Sequence, residues 1–496
     1  MRYAALMATL AVACAATPPP FPQALLVVDT DLPVPGVATH LRVDVFDGTG
    51  RWRESRDLAL RNPSDYPASF SLYLSDERLE AEALVRLRLR PDGAERDYRG
   101  ERYRPPPADD APPEAVMPIP PGDGQPRLIV DGADRTPAAE PLPELTVDRL
   151  VRVELRPGTA PRLRVTLRGA CAGRMASVAD RASCVDATRL WEDAGPGDGP
   201  DDGGPSQVGA FVADAVAPVA DVPDGATAIR GGAFVLGGDD LPVSFSGVSV
   251  APSYPPRLAV VHSFAMDRTE VSVARLRDAL ARGFSPSFKV RENPGALATS
   301  SADPLASCTY RATPDPADPG REELPVTCVP LPTAREFCRF EGGDLPTEAQ
   351  WEYAATAAGR ARKARFPWGE DPAQCAGVCF GRFDNSSAGS DECFAQAFPF
   401  GLRDANTVWQ DVTPDGIRGL AGAAWEWVLG APLPYDSACY QRAGLVDPVC
   451  EADGAAASAR GGDFGSPRAG LVAVQRLQVP AGGSTPLTGF RCVYGP

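Results

Sequence analysis

The residue types that carry metal, redox or nucleophilic chemistry are thinly spread in this 496-residue chain: twelve cysteines, from Cys14 to Cys492, and two histidines, His40 and His262. Cys375-x-x-x-Cys379 is the closest approach to a metal-ligand spacing, but zinc sites normally need four ligands and no second Cys or His pair stands nearby. A disulfide is therefore expected within Cys375, Cys379 and Cys393, and one of the three must be left over. His262 has no accompanying serine or cysteine motif that would make it a general base, so a structural role is expected for it. Gly237-Gly238-Asp239-Asp240 lacks the lysine of a phosphate-cradling loop and ends in carboxylates that would repel phosphate. The aspartates between Gly195 and Pro205 lack the glutamate that closes a calcium loop at its twelfth position. Asp391 and Glu392, in a loop of small residues, read as solvated.

The elements that would have to position any site differ between the two halves. From about residue 24 to 190, apolar and polar residues alternate over 41–45, 85–90, 151–155 and 162–168. That period of two puts one face inward and one outward, and with Pro and Gly turns between the runs it predicts an antiparallel β-sandwich over residues 22–191. The tract 103–125, crowded with prolines and acids, is expected as a long exposed loop. Residues 192–207, rich in Gly, Pro and Asp, read as a linker, and a second domain is expected over 225–496. There, Leu345 to Ala355 announces a helix: Thr347 and Gln350 form a capping box, and Trp351, Ala354, Ala355 and Ala358 fall on one stripe.

Composition narrows the function classes. A net charge of −16 opposes nucleic-acid binding, which needs a basic field, so no nucleic-acid partner is expected. An apolar fraction of 44% supports real cores, while 48 glycines and 53 prolines predict many turns and little helix. Residues 1–14 read as an export signal: Arg2, a short apolar run from Ala4 to Ala13, then small residues beside Cys14. The run is too short to span a membrane. Ala11-Val12-Ala13-Cys14 resembles a bacterial lipobox, which predicts lipidation at Cys14 and a membrane-anchored lipoprotein, with ordinary secretion to a periplasmic or extracellular location as the alternative. Export suits oxidised cysteines. Cys171 pairs most naturally with Cys184, and Cys308–Cys328 and Cys439–Cys450 would close local loops.

Several segments of the second domain occur in a telling order. They are Gly231 to Gly237, Phe264 to Ser272, Pro325-Val326 leading to a helix with Ala334 and Cys338, the run Leu345 to Ala355 followed by Phe366-Pro367-Trp368-Gly369, Gly422 to Trp427, Ala459 to Gly462, and Gly489 to Cys492. Together they resemble the sulfatase-modifying-factor family, best known for the formylglycine-generating enzyme. The resemblance implies an irregular α+β, C-type-lectin-like fold for residues 225–496, and a disulfide between Cys338 and Cys492.

The same resemblance implies a copper-dependent oxidation of a substrate cysteine, with the copper held by two thiolates shortly after the Arg-Gly-Gly block. Soft thiolates select Cu(I). Here those positions fall on Ser466 and Leu471, and no cysteine lies between Cys450 and Cys492. An iron site of several histidines, used by related members, is excluded by count. The family's calcium site is weakened: Gly419 stands where an asparagine ligand is expected, leaving the carbonyls of Gly422 and Ala424 and the carboxylate of Glu426. No other cofactor is expected. These readings favour an exported, lipid-anchored protein whose second domain is non-catalytic and binds an envelope protein or a glycan, or serves a structural role. The alternative is an enzyme of diverged chemistry, with Arg460, Arg468 and Arg491 as anion contacts and Glu426 or Asp463 as acid or base. A third reading gives recognition to the sandwich and makes the second domain a spacer.

Overall fold

The computed structural model describes residues 21–76, 78–91, 115–117, 127–130, 133–134, 145–238, 250–302, 304–384, 390–451, 456–480, 482–483 and 485–495. Cys14 and the rest of the expected export signal lie outside these, as does the 103–125 tract apart from 115–117.

The first domain is built on β1 (Gln23–Thr30), β2 (His40–Asp47), β3 (Trp52–Ala59), β4 (Ala68–Tyr73) and β5 (Ala81–Arg90). Three short strands, β6 (Ala115–Met117), β7 (Arg127–Val130) and β8 (Ala133–Asp134), form a small sheet of their own, so part of the tract expected as loop is a hairpin strand. β9 (Val147–Leu155) and β10 (Arg162–Leu167) follow, then the two-residue strands β11 (Ala182–Ser183), β12 (Glu192–Asp193) and β13 (Gly199–Pro200). Two four-stranded sheets result, ordered β13-β10-β1-β4 and β3-β2-β5-β9. Leu26 and Val28 of the first share one core with Leu41, Val43, Val85, Leu87, Val151 and Val153 of the second. The alternating runs 41–45, 85–90 and 151–155 lie in strands, as does 162–168 apart from Arg168 at its end.

Two expectations for this domain fail, each for a physical reason. β1 and β10 pair in parallel, from Leu25↔Arg162 to Thr30↔Leu167. A parallel pair needs a crossover connection, and here the whole second sheet supplies it. The polar face of β5 is not in water either: Arg86, Arg88 and Arg90 are 5–6% exposed. They are neutralised by Asp44, Asp148 and Asp57 respectively. The chain after residue 171 covers that face, with Ala176, Val178 and Ala194 packed on Phe46, Leu84 and Leu150.

The same covering segment overturns the picture of a free linker. Within 192–207, β12 pairs with β11 and β13 with β10. Asp198 lies in ion-pair range of Arg149 and Arg168, and Asp201 of Arg162 and Arg164. The amide of Gln207 and the hydroxyl of Ser206 both donate to Asp29. Each backbone group in this Gly/Pro/Asp tract is too polar to bury alone, and charge complementarity with the arginines of the sheet is what holds it. The chain then bridges to the second domain: Phe211 donates its amide to Asp31, while Ala215 accepts from the amide of Ser263.

The second domain follows with β14 (Ala226–Ile229), β15 (Gly232–Leu236), β16 (Val250–Ala251), β17 (Arg257–Val261) and β18 (Phe264–Asp267). Its helices are α1 (Val273–Ala281), α2 (Leu331–Phe340), α3 (Glu348–Thr356) and α4 (Ala438–Ala443). β19 (Trp425–Val428), β20 (Ala456–Arg460), β21 (Arg476–Pro480), β22 (Thr488–Gly489) and β23 (Val493–Tyr494) complete it. A five-stranded sheet, β16-β21-β20-β19-β22, is its largest. α1 and α2 pack with Trp425 and Trp427 in one core, and α3 packs with β15 and β17 in a second. The capping box of α3 is formed as its sequence predicts, Thr347 Oγ1 accepting from the Gln350 amide while Gln350 returns a carbonyl to the Thr347 amide.

Candidate functional site

α3 delivers two carboxylates, Glu348 and Glu352, into the interior one helical turn apart, at 1% and 0% exposure. β20 and β21 bring Arg460 and Arg476 to meet them, both fully buried. Glu348 accepts from Arg476 at 2.9 and 3.1 Å and from the Tyr440 hydroxyl at 2.6 Å. Arg460 lies 2.9 Å from Glu352 and donates to the Tyr435 hydroxyl at 2.5 Å. Lys363 closes the other oxygen of Glu352 at 2.6 Å. Burial opposes ionisation of Glu348, but Arg476 and Arg460 outweigh it and hold the carboxyl below its ordinary value. Every charge in this cluster has an opposite within reach, which is the condition for burying charge at all.

A second buried cluster sits between β18, β19 and the end of the chain. Arg491 donates to Glu426 at 2.5 and 2.8 Å, and Trp351 donates to the same carboxylate at 2.7 Å. The guanidinium also reaches the carbonyls of Asp267, Arg418 and Gly419. Glu270 lies 3.7 Å from Arg491, in ion-pair range but beyond hydrogen bonding, and among the described residues neither of its oxygens has a hydrogen-bond partner. Asp411 accepts from the Ala421 amide through one oxygen and leaves the other unpartnered. Three carboxylates thus share one guanidinium. Burial, with the neighbouring carboxylates adding to it, pushes Glu270 up to about 8 and Asp411 up to about 7 despite Arg491.

The third element of the site is the segment after β20. Ser466 and Leu471 are both fully buried. Ser466 Oγ accepts from the Asp463 amide at 2.9 Å and donates to its carboxylate, which also takes Trp425 Nε1 at 2.9 Å and the Gly465 amide at 2.7 Å. Burial raises Asp463 to about 6. Leu471 packs among Val378, Phe380 and Ala421. Arg468 differs: it pairs with Glu392 at 2.5 Å and lines a depression of about 600 Å³ with Asp371, Gln374, Gln396, Phe398 and the Cys375–Cys393 disulfide. Gly377, beside that depression, lies against Trp409, whose side chain is 59% exposed.

Of the expected cleft residues only Arg491 and Glu426 meet, as a buried ion pair, and the set does not converge on one open site. Of the candidate anion contacts and acids, Arg460, Arg491, Glu426 and Asp463 are spent inside the core, and Arg468 alone of the group lines this depression. The structure forms the disulfides Cys171–Cys184, Cys308–Cys328, Cys338–Cys492 and Cys439–Cys450, and joins Cys375 to Cys393. Cys379 is the thiol left over, buried and pushed up to about 11 by that burial. His262 is fixed by Asp447, which contacts both its backbone amide and its ring, as a structural histidine would be.

A model of the family described as "Sulfatase-modifying factor enzyme 1-like domain" matches residues 213–495, more than half of the chain. The chain belongs to this family. A formylglycine-generating enzyme from Thermomonospora curvata is 28% identical over 56% of this chain and 95% of its own length. The chain is also similar to bovine "Inactive C-alpha-formylglycine-generating enzyme 2", 32% identical over 22% of this chain and 43% of that protein. Among solved structures, PvdO from Pseudomonas aeruginosa matches with a TM-score of 0.38 and 17% identity, over 54% of this chain and 93% of PvdO.

The metals of the family can be tested against the residues in place. Copper does not fit the residues at the two positions that the resemblance assigns to its thiolates: Ser466 is a hydroxyl bonded to Asp463 and Leu471 is packed in apolar surroundings, while Cys379 is a single thiol pushed up to about 11 by burial. Calcium does not fit either. Glu426 gives its oxygens to Arg491 and Trp351, so a cation would have to displace a guanidinium. A side chain at position 419, where φ is +72° and a Cβ would stand 2.6 Å from Glu270 Oε2, would need the Glu270 carboxylate to move. Among the described residues, no group of three His, Cys, Asp or Glu is arranged to hold a metal ion.

Sequence reasoning missed Glu348, Glu352, Glu270 and Asp411. The first two left a signal: two acids four apart on a helix whose other residues are mostly alanine and aromatic belong to its buried stripe. Glu270 and Asp411 left none, since their environment is assembled from segments more than a hundred residues apart.

Proposed function

We propose that this is an exported, lipid-anchored protein whose family domain is non-catalytic and serves recognition of an envelope protein or glycan, or a structural role. The observation that carries the reading is the occupation of both thiolate positions by Ser466 and Leu471, each fully buried and committed to neighbours. The similarity to relatives named inactive is in keeping with it. Five disulfides fit an oxidising, extracytoplasmic compartment, and no helix among the described residues is long and apolar enough to cross a membrane. Anchoring is assigned to a lipid on Cys14.

A C-type-lectin-like scaffold presents irregular loops held by disulfides, which suits recognition. We place the contact face at the Arg468 depression and the adjoining Trp409, because an exposed indole beside a polar hollow offers both stacking and hydrogen bonds. Purified protein titrated with Cu(I) against a chromogenic chelator should show no tight one-to-one binding, and a cysteine-containing sulfatase peptide should remain unoxidised. Turnover of that peptide would overturn the non-catalytic assignment.

A further inference from the structure

Three large apolar or aromatic side chains stand in solvent together at one end of the first domain. Phe21, just before β1, is 51% exposed, Tyr73 at the end of β4 is 67% exposed, and Leu79 in the turn that follows is 52% exposed. The backbone holds them as neighbours. Gln23 is the register partner of Tyr73, the Leu74 amide donates to the Pro22 carbonyl, and the Leu79 amide donates to the Asp76 carbonyl. The exposed loop 156–160 lies alongside, since the Gln23 amide reaches the Thr159 carbonyl. A sandwich that buries Leu26, Val28 and Val85 completely leaves these three uncovered. The arginines beside them are paired within their own segments, Arg78 with Asp76 and Arg156 with Glu154.

We infer that this end of the first domain docks on the lipid surface, with Phe21, Tyr73 and Leu79 entering the boundary between headgroups and acyl chains. The inference rests on the proposed lipid at Cys14. Seven residues lead from Cys14 to Phe21, and at no more than about 3.6 Å per residue they keep Phe21 within about 25 Å of the anchor. β1 alone, eight residues long, spans about 26 Å. A tether shorter than one strand therefore holds the Phe21 end toward the lipid and raises its local concentration there, so that a weak apolar contact is populated. An aromatic ring with one polar end, as Tyr73 carries, settles at such a boundary. A lipid surface fits better than a charged partner, because the neighbouring arginines are already paired and the patch offers apolar area.

The test uses the full-length protein purified from a bacterial envelope and anchored in phosphatidylcholine vesicles. Intact mass reports the lipid on Cys14, and amide hydrogen exchange reports the docking. Peptides covering Tyr73, Leu79 and the loop 156–160 should exchange severalfold more slowly in the parent than in a variant carrying Phe21→Ser, Tyr73→Ser and Leu79→Ser, and the difference should survive high salt. The three side chains are exposed, so the variant should keep the parent's unfolding temperature and its anchor, and the loop bearing Leu433 should exchange alike in both. A protein without the lipid would overturn the anchor and the inference with it. A lipid-bearing protein whose parent and variant exchange equally would overturn the inference alone. Protection that grows with protein density on the vesicle would assign the patch to a second copy of the chain, and would overturn it as well.

Discussion

The clusters around Glu348 and Glu270 are equally buried and are built on opposite principles. Glu348 meets two arginines and two tyrosine hydroxyls and stays ionised, whereas Glu270 shares one distant guanidinium with two other carboxylates and holds its proton. Burial alone does not set the charge of an acid. The donors and cations around it do: strands β20 and β21 bring two arginines to the first cluster, while the second has one, Arg491, near the chain end.

The largest way to break this comparison is to remove the hub of the satisfied cluster. Glu348→Gln leaves Arg476 without its carboxylate in the core, and an unpaired buried charge costs about 3–5 kcal/mol. Thermal unfolding should show a fall of many degrees, and a loss below 1 kcal/mol would mean the arginine finds another partner.

The under-satisfied cluster should respond to pH in the opposite sense. Glu270 and Asp411 titrate near 8 and 7 when folded and near ordinary carboxylate values when unfolded. Between those limits the folded chain holds protons the unfolded chain has lost, so stability falls as pH rises, by up to about 1.4 kcal/mol per pH unit for each group. Glu348, whose folded value is depressed, contributes stability above its unfolded value and loses it only in acid. Denaturant unfolding at pH 6 and 8 should find the parent less stable at 8, and Glu270→Gln should flatten the difference. An unchanged slope would show that Glu270 is ionised and paired.

The smallest effect tests the local frame. Thr347→Ala removes the cap of α3, for about 1 kcal/mol, and should lower stability without altering either pH response. A change in the alkaline slope would mean that the helix position governs both clusters.

What was legible in the sequence follows from how local each feature is. The α3 cap, the alternating strands and the short-loop disulfides are encoded within a few residues, and they stand where the sequence puts them. Ser466 and Leu471, the positions a count from Arg460 gives for the family's thiolates, are both buried in the folded chain. The parallel β1–β10 pair, the burial of Arg86 and Arg88, and the Glu270 cluster were not legible, because each depends on a segment that arrives from far along the chain. The choice of Cys379 as the unpaired thiol was likewise settled in space, where the Cα atoms of Cys375 and Cys393 stand 5.3 Å apart although eighteen residues separate them in sequence.

The tract 192–207 bears on how the molecule can be taken apart. Composition marks it as the natural place to cut, yet a first half ending at residue 191 would lose the edge strand β13 together with Asp198 and Asp201. Arg149, Arg164 and Arg168 would then face the solvent or one another without those counter-charges. A boundary placed after residue 208 keeps the strap on the sheet it neutralises, and the gap between glycines and prolines that invites a protease is, in the folded chain, a fastening.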